Sequence, residues 1–401
     1  MRLMQKKCLI LNGSHSEITL IEAAKKLGFY VITSGNMPEL VGHHYADEYI
    51  KADYSDKEAI LQIVKDRAID AIVGCANDFG TITASYVAEK MGWPGHDSYE
   101  TTLLLHQKDL FKEYVAKAGI PSPVSVPFDS REDALAYIKT AEYPIIVKAT
   151  DLTGGKGILK AENEAEAKAA IDNAFTRSRA KHIVIEPFLT GTQHSINVFI
   201  IDGKIAASVS CNSYSPINPY LIQTEVLPAD DIEQYEEELH GIIDKMIDTL
   251  HLADGILTMQ FIVHHQKPYI IEVMRRCLGN QYLTVARAVS GFPWEEALVR
   301  CETGMDCSGL KWEKPMAKGC GHHGIMATRN GVVKGYEIDP DIEKHIFQKI
   351  EILRPGEALN DYMNERVAYI YYTYDNRDEM IDAALHMNDR IKIFFEDDIG
   401  G

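Results

Sequence analysis

The chain has 401 residues, 46% of them hydrophobic and 25% charged, which are the proportions of a globular protein large enough for roughly two or three domains. Its formal net charge of -18 argues against nucleic acid or an anionic membrane surface as a partner. The sequence contains no apolar run of about 18 residues, so no membrane span is predicted. The seven cysteines are scattered and odd in number, so we expect reduced thiols and a cytoplasmic location.

The first hundred residues alternate between strand and helix signals. Apolar runs at 8–11, 30–33 and 70–74 read as strands, and helical patterns fall between and after them. This alternation predicts a parallel, doubly wound α/β sheet. Ligands bind at the carboxyl ends of strands in such sheets, so Ser14 and His15, which follow the first strand, are candidates to face a substrate.

The rest of the chain mixes helices with hairpins, as in an α+β fold. Helices are predicted at 110–118 and 235–252, and a boundary is predicted near 304–318, where glycine, charges and Pro315 cluster. An apolar strand at 367–374 and a helix at 379–387 end the pattern.

Lys148 lies inside the apolar strand 143–149, immediately before the glycine-rich loop 151–158. A buried ammonium group is costly unless it is paired, although a lysine at a strand edge can also extend to solvent. Glycines let a backbone approach phosphate oxygens, and Lys156 adds a mobile charge to this loop. The loop is not a Walker A motif, because no Ser or Thr follows the lysine.

A further strand, 181–186, ends in Glu186 and is followed by Pro187. Proline cannot donate to a sheet ladder, so the strand is predicted to leave its sheet here. The free backbone beside Phe188 and Leu189 could hold an adenine. A plain surface glutamate at a strand end is the competing interpretation.

The segment 255–274 is predicted to be a hairpin centred on Gln266, which places Gln260 opposite Glu272. Their oxygens could share one hard cation such as magnesium. The other face is predicted to pack on a core through Met259, Phe261, Val263, Tyr269, Ile271 and Val273. Arg275 and Arg276 follow and could bind a carboxylate or phosphate; an unliganded polar face and an Arg–Glu ion pair are the alternatives.

In order and spacing, these motifs resemble the ATP-grasp superfamily. Glu272-Val273-Met274-Arg275-Arg276 resembles the E-[IV]-N-x-R metal motif, and Lys108 and Lys148 resemble the two nucleotide lysines. The segment resembling the lid over the phosphates consists of Thr153, Gly154, Gly155, Lys156 and Gly157. The segment resembling the adenine hinge consists of Glu186, Pro187, Phe188 and Leu189.

The resemblance implies four units. They are a Rossmann-like preATP-grasp domain at 1–107, a small lobe with the lid at 108–190, a large lobe with the metal hairpin at 191–310 and a small α+β closing domain at 311–401. A nucleotide cleft lies between the two lobes in this arrangement.

Three positions depart from the family pattern. Gln193 stands where a ribose-binding acid is usual, and Gln260 stands where the first metal ligand is usually glutamate, as also in carbamoyl phosphate synthetases. Met274 replaces the asparagine of the metal motif and is a poor magnesium ligand. Both amides remain candidate ligands, Gln193 for the nucleotide and Gln260 for the metal.

The resemblance implies an ATP- and Mg²⁺-dependent ligase, in which a carboxylate is activated as an acyl phosphate and attacked by an amine. Arg276 and Lys156 are the implied catalytic residues. The small-molecule partners would be the carboxylate and the amine, and dimers are common in the families it resembles. The alternatives are an enzyme acting on bicarbonate and a non-catalytic nucleotide-binding protein.

Near the carboxyl end, Cys320, His322 and His323 could bind zinc, but a strand would point the adjacent histidines to opposite faces. A histidine at the edge of the substrate site is therefore the preferred interpretation. The segment 210–225, with Tyr214, Asn218 and Tyr220, is expected near the acceptor substrate.

Overall fold

The structure, a computed structural model, describes residues 5–152 and 155–397, so Thr153 and Gly154 of the predicted lid lie outside the described residues. The helices are α1 (Ile18–Lys26), α2 (Lys57–Asp66), α3 (Asp78–Met91), α4 (Tyr99–His106), α5 (Lys108–Ala118), α6 (Arg131–Tyr137), α7 (Glu164–Arg177), α8 (Glu236–Leu250), α9 (Tyr282–Ser290), α10 (Trp294–Glu302), α11 (Pro340–Glu343) and α12 (Arg377–Leu385). Within those ranges, no helix has the length and apolar character needed to cross a membrane.

The strands, in chain order, are β1 (Lys7–Leu11), β2 (Tyr30–Gly35), β3 (Glu48–Lys51), β4 (Ala71–Val73), β5 (Val126–Phe128), β6 (Ile145–Ala149), β7 (Ile158–Ala161), β8 (Ile183–Pro187), β9 (Thr192–Ile201), β10 (Lys204–Tyr214), β11 (Thr224–Leu227), β12 (Gly255–His264), β13 (Lys267–Met274), β14 (Gly319–Ile325), β15 (Gly331–Ile338), β16 (Ile346–Glu351), β17 (Ala358–Leu359), β18 (Ala368–Tyr374) and β19 (Ile391–Phe395).

The amino-terminal sheet is parallel, with strand order β3-β2-β1-β4, as the alternation of strands and helices predicted. Its buried strands pack on both faces, since alternate residues of β1 belong to two different apolar cores. The loops after β1 and β4 therefore meet at one edge, where Glu17 accepts a hydrogen bond from the Ala76 N–H at 3.0 Å.

A second sheet of four antiparallel strands has the order β5-β8-β6-β7. One face is covered by α6 and α7, whose alanines and isoleucines pack against Ile145, Val147, Ile183 and Ile185. Strand alternation then points Lys148 and Glu186 to the opposite face, away from that core. The element order thus places both charged side chains opposite that core, on the face where Lys112 of α5 approaches Glu186.

The largest sheet has eight strands in the order β13-β12-β9-β10-β11-β14-β18-β16. Helix α8 packs on it through one apolar core that also takes in α5. Strands β11 and β14 pair directly, so this sheet runs across the predicted boundary between residues 310 and 311. The predicted fold class is confirmed, with α/β and α+β parts in one chain, while the four domain limits stay predictions.

The hairpin β12–β13 has Gln260 opposite Glu272, as predicted, but its turn is not centred on Gln266. The turn residues are His265 and Gln266, both with positive φ, and His264 pairs with Lys267. A bulge beside Gln260 absorbs the difference of one residue.

The bulge also corrects the predicted core face. Ile270 is fully buried in the core, whereas Ile271, predicted for that position, is only half-buried and lines a cavity beside Glu272. One inserted residue reverses the faces of a strand beyond it, because side chains alternate with a period of two.

Candidate functional site

On the face of the second sheet opposite its apolar core, one buried carboxylate lies between two ammonium groups. Lys148 Nζ donates to Glu186 Oε2 at 2.6 Å, and Lys112 Nζ of α5 lies 3.4 Å from Glu186 Oε1. Lys112 also donates to Ser122 Oγ at 2.8 Å. The exposed fraction of the side chain is 10% for Lys148, 7% for Lys112 and 1% for Glu186. With all three groups ionised, the cluster carries one surplus positive charge and favours an anionic ligand.

The pKa values of Glu186 and Lys112 depend on burial and on the charges of their neighbours. Burial by itself would raise the pKa of Glu186, but the charges of Lys148 and Lys112 bring that pKa below its usual range. Burial lowers the pKa of Lys112 to about 8, helped by the charge of Lys148 and opposed by that of Glu186. A second anion beside Lys112 would raise that pKa back toward its ordinary value.

The glycine-rich loop is anchored at both ends. Lys108 Nζ donates to the carbonyl oxygen of Leu152 at 2.7 Å, and the Lys160 N–H donates to the hydroxyl of Tyr220 at 2.7 Å. Gly155 has φ of +75°, and a Cβ there would lie 2.4 Å from the carbonyl oxygen of Tyr220. Lys156 is exposed. The segment 210–225 therefore holds the loop, and glycine is required at this contact.

The metal pair predicted from the sequence is partly accessible. Gln260 and Glu272 are directly opposed and both half-buried. One cavity lies between β13 and the helices α3, α4 and α5. Its lining includes Asp78, His106, Lys108, Ile271, Glu272 and Met274. An amide oxygen and a carboxylate fit one hard cation, whereas the thioether of Met274 does not.

The two arginines after the hairpin have different partners. Arg275 is buried and bonds to Asp97 and to the backbone carbonyls of Ala253 and Ile256, which identifies it as a structural anchor. Arg276 Nε pairs with Asp78 Oδ1, which also accepts from His106 Nδ1 at 3.0 Å.

Burial would raise the pKa of Asp78, but Arg276 and His106 hold that pKa well below its usual range. Arg276 therefore faces a permanent anion and keeps its charge, and its partner Asp78 lines the cavity. Asp78 is the first residue of α3, and its neighbour Asn77 caps the helix with a side-chain bond to the Phe79 N–H.

The backbone at the predicted adenine hinge does not leave its sheet at Pro187, contrary to the prediction. Pro187 still pairs with Ile145 of β6, and the Glu186 carboxylate pairs with the two lysines. The Phe188 N–H donates to the carbonyl oxygen of Pro144 at 2.9 Å, and Lys160 Nζ lies 4.4 Å from the centroid of the Phe188 ring. Leu189 and Gln193 are half-buried.

A second polar cluster lies where β11 and β14 meet. Glu225 Oε2 pairs with His322 Nε2 at 2.7 Å and accepts from Asn280 Nδ2 at 3.1 Å, with both Glu225 and His322 almost fully buried. His323 points the other way, to Thr224 Oγ1 at 2.7 Å. The two histidines thus face opposite sides, as predicted. Across the described ranges, no group of three or more His, Cys, Asp or Glu side chains is placed to hold a metal.

Of the predicted site residues, Lys108 and Glu272 line one cavity, and Lys148 pairs with Glu186. The structure adds two residues that the sequence interpretation missed, Lys112 and Asp78. Lys112 lies four residues after Lys108 on the same helix, so helical spacing alone could have suggested it. The signal for Asp78 is its place at the start of a helix after a buried strand.

Residues 106–278 match the family model described as phosphoribosylglycinamide synthetase, ATP-grasp (A) domain. Among curated relatives, the carbamoyl phosphate synthase large chain of Clostridium acetobutylicum is 24% identical over 312 residues, which are 74% of this chain and 28% of the relative. The matched part spans about a quarter of the length of this and two other curated relatives, at 28%, 24% and 26%.

Two solved structures share the fold over nearly the whole chain. The L-amino acid ligase from Bacillus licheniformis has a TM-score of 0.80 at 16% identity, covering 98% of this chain and 99% of that chain. The biotin carboxylase domain of the Hydrogenobacter thermophilus 2-oxoglutarate carboxylase, solved as a dimer with MgADP, ADP and bicarbonate, has a TM-score of 0.75 at 18% identity, covering 98% of this chain and 91% of that chain.

Proposed function

The chain belongs to the ATP-grasp superfamily, as its motifs predicted, and from that premise we propose that it is an ATP-dependent ligase joining a carboxylate to an amine. The observation that carries the proposal is one cavity that joins Lys108 to Glu272 and to Asp78, the partner of Arg276. An ammonium group beside a carboxylate that could bind a metal supports phosphoryl transfer as the proposed chemistry.

In this proposal, ATP lies with its adenine on the backbone after Pro187 and its phosphates toward Lys148. Lys148 and Lys112 supply the surplus charge for the phosphates, and Lys108 holds the base of the lid. Lys156 stands on the lid and is exposed, so it is free to follow a bound phosphate. Water exclusion by the lid protects the acyl phosphate from hydrolysis.

The donor set at Gln260 and Glu272 fits one Mg²⁺ ion. When bound, magnesium would neutralise charge on the phosphate oxygens. Met274 offers no hard ligand, so we propose one ion held by this pair rather than two.

The reaction proceeds in two displacements. A carboxylate oxygen attacks the γ-phosphorus, and the bond to the bridging oxygen breaks, so ADP leaves with that electron pair. The amine nitrogen then attacks the acyl carbon, loses a proton, and inorganic phosphate departs. Arg276, held by Asp78, binds the carboxylate and the phosphoryl anion. Positioning and charge stabilisation supply the rate without a side-chain nucleophile.

Bicarbonate as the acid is the second candidate. It is favoured by Gln260, which resembles the amide at this position in carbamoyl phosphate synthetases, and by the carbamoyl phosphate synthase among the relatives. A non-catalytic nucleotide-binding role is favoured by Met274 and Gln193, which replace ligands usual in the family.

A coupled ADP-release screen over pairs of carboxylates and amines, with bicarbonate as a separate arm, tests the proposal. We expect ADP release that needs both an acid and an amine. Glu272→Ala should abolish it, whereas Glu337→Ala, an exposed glutamate on another strand, should not change it. Release with bicarbonate alone supports the second candidate, and MgATP binding without turnover on any pair supports the non-catalytic role.

A further inference from the structure

An arginine and a histidine converge on Tyr369, away from the nucleotide lysines. The Arg366 guanidinium lies 5.5 Å from the centroid of the Tyr369 ring, and the His15 ring stacks on Tyr369 at 5.1 Å between centroids. His323 is close enough for the Arg366 charge to affect its pKa. These side chains come from the loop after β1, from β14 and from the start of β18.

The positive charge of Arg366 has no acidic partner. Its Nη2 donates to the carbonyl oxygen of Ile222 at 3.0 Å and its Nη1 to that of Asn364 at 3.4 Å, and within the described residues Arg366 forms no ion pair with a carboxylate. Arg366 Nε and His15 Nε2 are both buried from solvent without a hydrogen-bond partner in that part of the chain. Unpaired buried donors are costly, so their presence in a built cluster indicates a missing ligand.

The backbone around this cluster is shaped for it. A Cβ at Gly324 would lie 3.0 Å from Arg366 Nε, so glycine leaves room for the guanidinium. The carbonyl oxygen of His15 accepts from Gln281 Nε2 at 2.5 Å, and the neighbouring Ser16 Oγ donates to the Gly279 carbonyl. The position of His15 is thus fixed before any ligand arrives.

The same contacts tie the cluster to the reaction centre. Gly279 lies three residues after Arg276, so their Cα atoms are at most about 11 Å apart. The segment from Arg276 to Gln281 therefore runs from the proposed reaction centre to the backbone of His15. Asn280, between them, is fixed by Glu225, His322 and the Tyr371 hydroxyl.

We propose that Arg366 and His15 form the subsite for a carboxylate carried by the amine substrate, which makes that substrate an amino acid; this inference rests on the proposed function. One full cation with one neutral imidazole matches a monoanion better than a phosphate dianion. Burial and the Arg366 charge, opposed by the Gly279 backbone, lower the pKa of His15 to about 4. Burial, His322 and Arg366 lower the pKa of His323 to about 3, so both rings are neutral at pH 7.

Titration calorimetry on the full chain, with and without the Mg²⁺ complex of a non-hydrolysable ATP analogue, tests the subsite. The probes are the twenty common α-amino acids, their amides and 2-aminoethyl phosphate. We expect at least one amino acid to bind about ten-fold or more tightly than its amide, as for loss of a charged hydrogen bond. Arg366→Met should remove this preference, and Arg366→Lys should keep part of it. Arg354→Met, an exposed arginine, should keep all of it.

Three results would overturn the subsite. These are amides that bind as tightly as the acids in the wild type, an unchanged preference in Arg366→Met, and tighter binding of 2-aminoethyl phosphate through Arg366. The nucleotide arm separates the two proposals. If the chain binds amino acids through Arg366 but binds no nucleotide, the ligase proposal is refuted and the subsite is retained. If it binds nucleotide but shows no preference for the carboxylate, the subsite is refuted and the ligase proposal is retained.

Discussion

Replacing Lys148 by methionine separates the ligand role of the buried cluster from its structural role. The substitution removes the 2.6 Å bond to Glu186 but leaves that carboxylate beside Lys112. It also removes the surplus charge that helps to lower the pKa of Lys112. The lost charged hydrogen bond is worth about 1.5–3 kcal/mol, and relief of the Lys–Lys repulsion offsets part of it. We therefore expect a net loss of stability of about 1 kcal/mol.

Glu186→Gln provides the contrast, because it leaves two buried ammonium groups without a counter-charge. Removing one partner of a buried ion pair costs about 3–5 kcal/mol. For MgATP affinity, in contrast to stability, we expect the larger effect from Lys148→Met. The loss of Lys148 should weaken the affinity by about ten-fold or more if it contacts a phosphate.

Urea denaturation at pH 7 and calorimetric titration with the Mg²⁺ complex of a non-hydrolysable ATP analogue measure the two effects. Lys139→Met, an exposed lysine on the same lobe, is the matched control and should change neither. A Lys148→Met chain that bound nucleotide normally, and lost as much stability as Glu186→Gln, would refute the reasoning. Lys148 would then be only a counter-ion for Glu186.

Gly155→Ala should lower ADP release and raise the KM for ATP, because its Cβ would meet the Tyr220 carbonyl oxygen at 2.4 Å; Gly203→Ala, with φ of +68° and open space, controls for backbone strain alone. Lys112 has a folded-state pKa of about 8 against an ordinary 10.5, so the unfolded chain binds more protons between these values. Urea denaturation should therefore show wild-type stability, relative to Lys112→Met, rising from pH 8 to 10.5, and a flat difference contradicts the burial of its charge. Gln260→Glu should lower the Mg²⁺ concentration for half-maximal nucleotide binding several-fold, since a carboxylate is the stronger ligand; an unchanged Mg²⁺ dependence removes this residue from the metal site.

The hairpin at the metal pair shows how far a local pattern reaches. Counting outward from the turn placed Gln260 opposite Glu272 correctly, yet the assumed turn centre and the face of Ile271 were wrong. The wrong turn centre and the unpredicted bulge cancel at Glu272, because the bulge adds one residue between the turn and the predicted metal pair.

Element types and the order of the motifs could be predicted from the chain alone, because they depend on side-chain periodicity and on residues near in sequence. The parallel amino-terminal sheet, the lysine inside a strand and the glycine-rich loop all have such local signals. Partners that come from distant segments have no local signal. Asp78 meets Arg276 across 198 residues, and Lys108 reaches the Leu152 carbonyl across 44.

Folding therefore decided which charges are paired and which are left for a ligand. Composition and spacing cannot distinguish Arg275, which is fully engaged, from Arg366, which lacks an acidic partner among the described residues. That distinction depends on burial and on the atoms within about 4 Å of each charge, which only the packed chain determines.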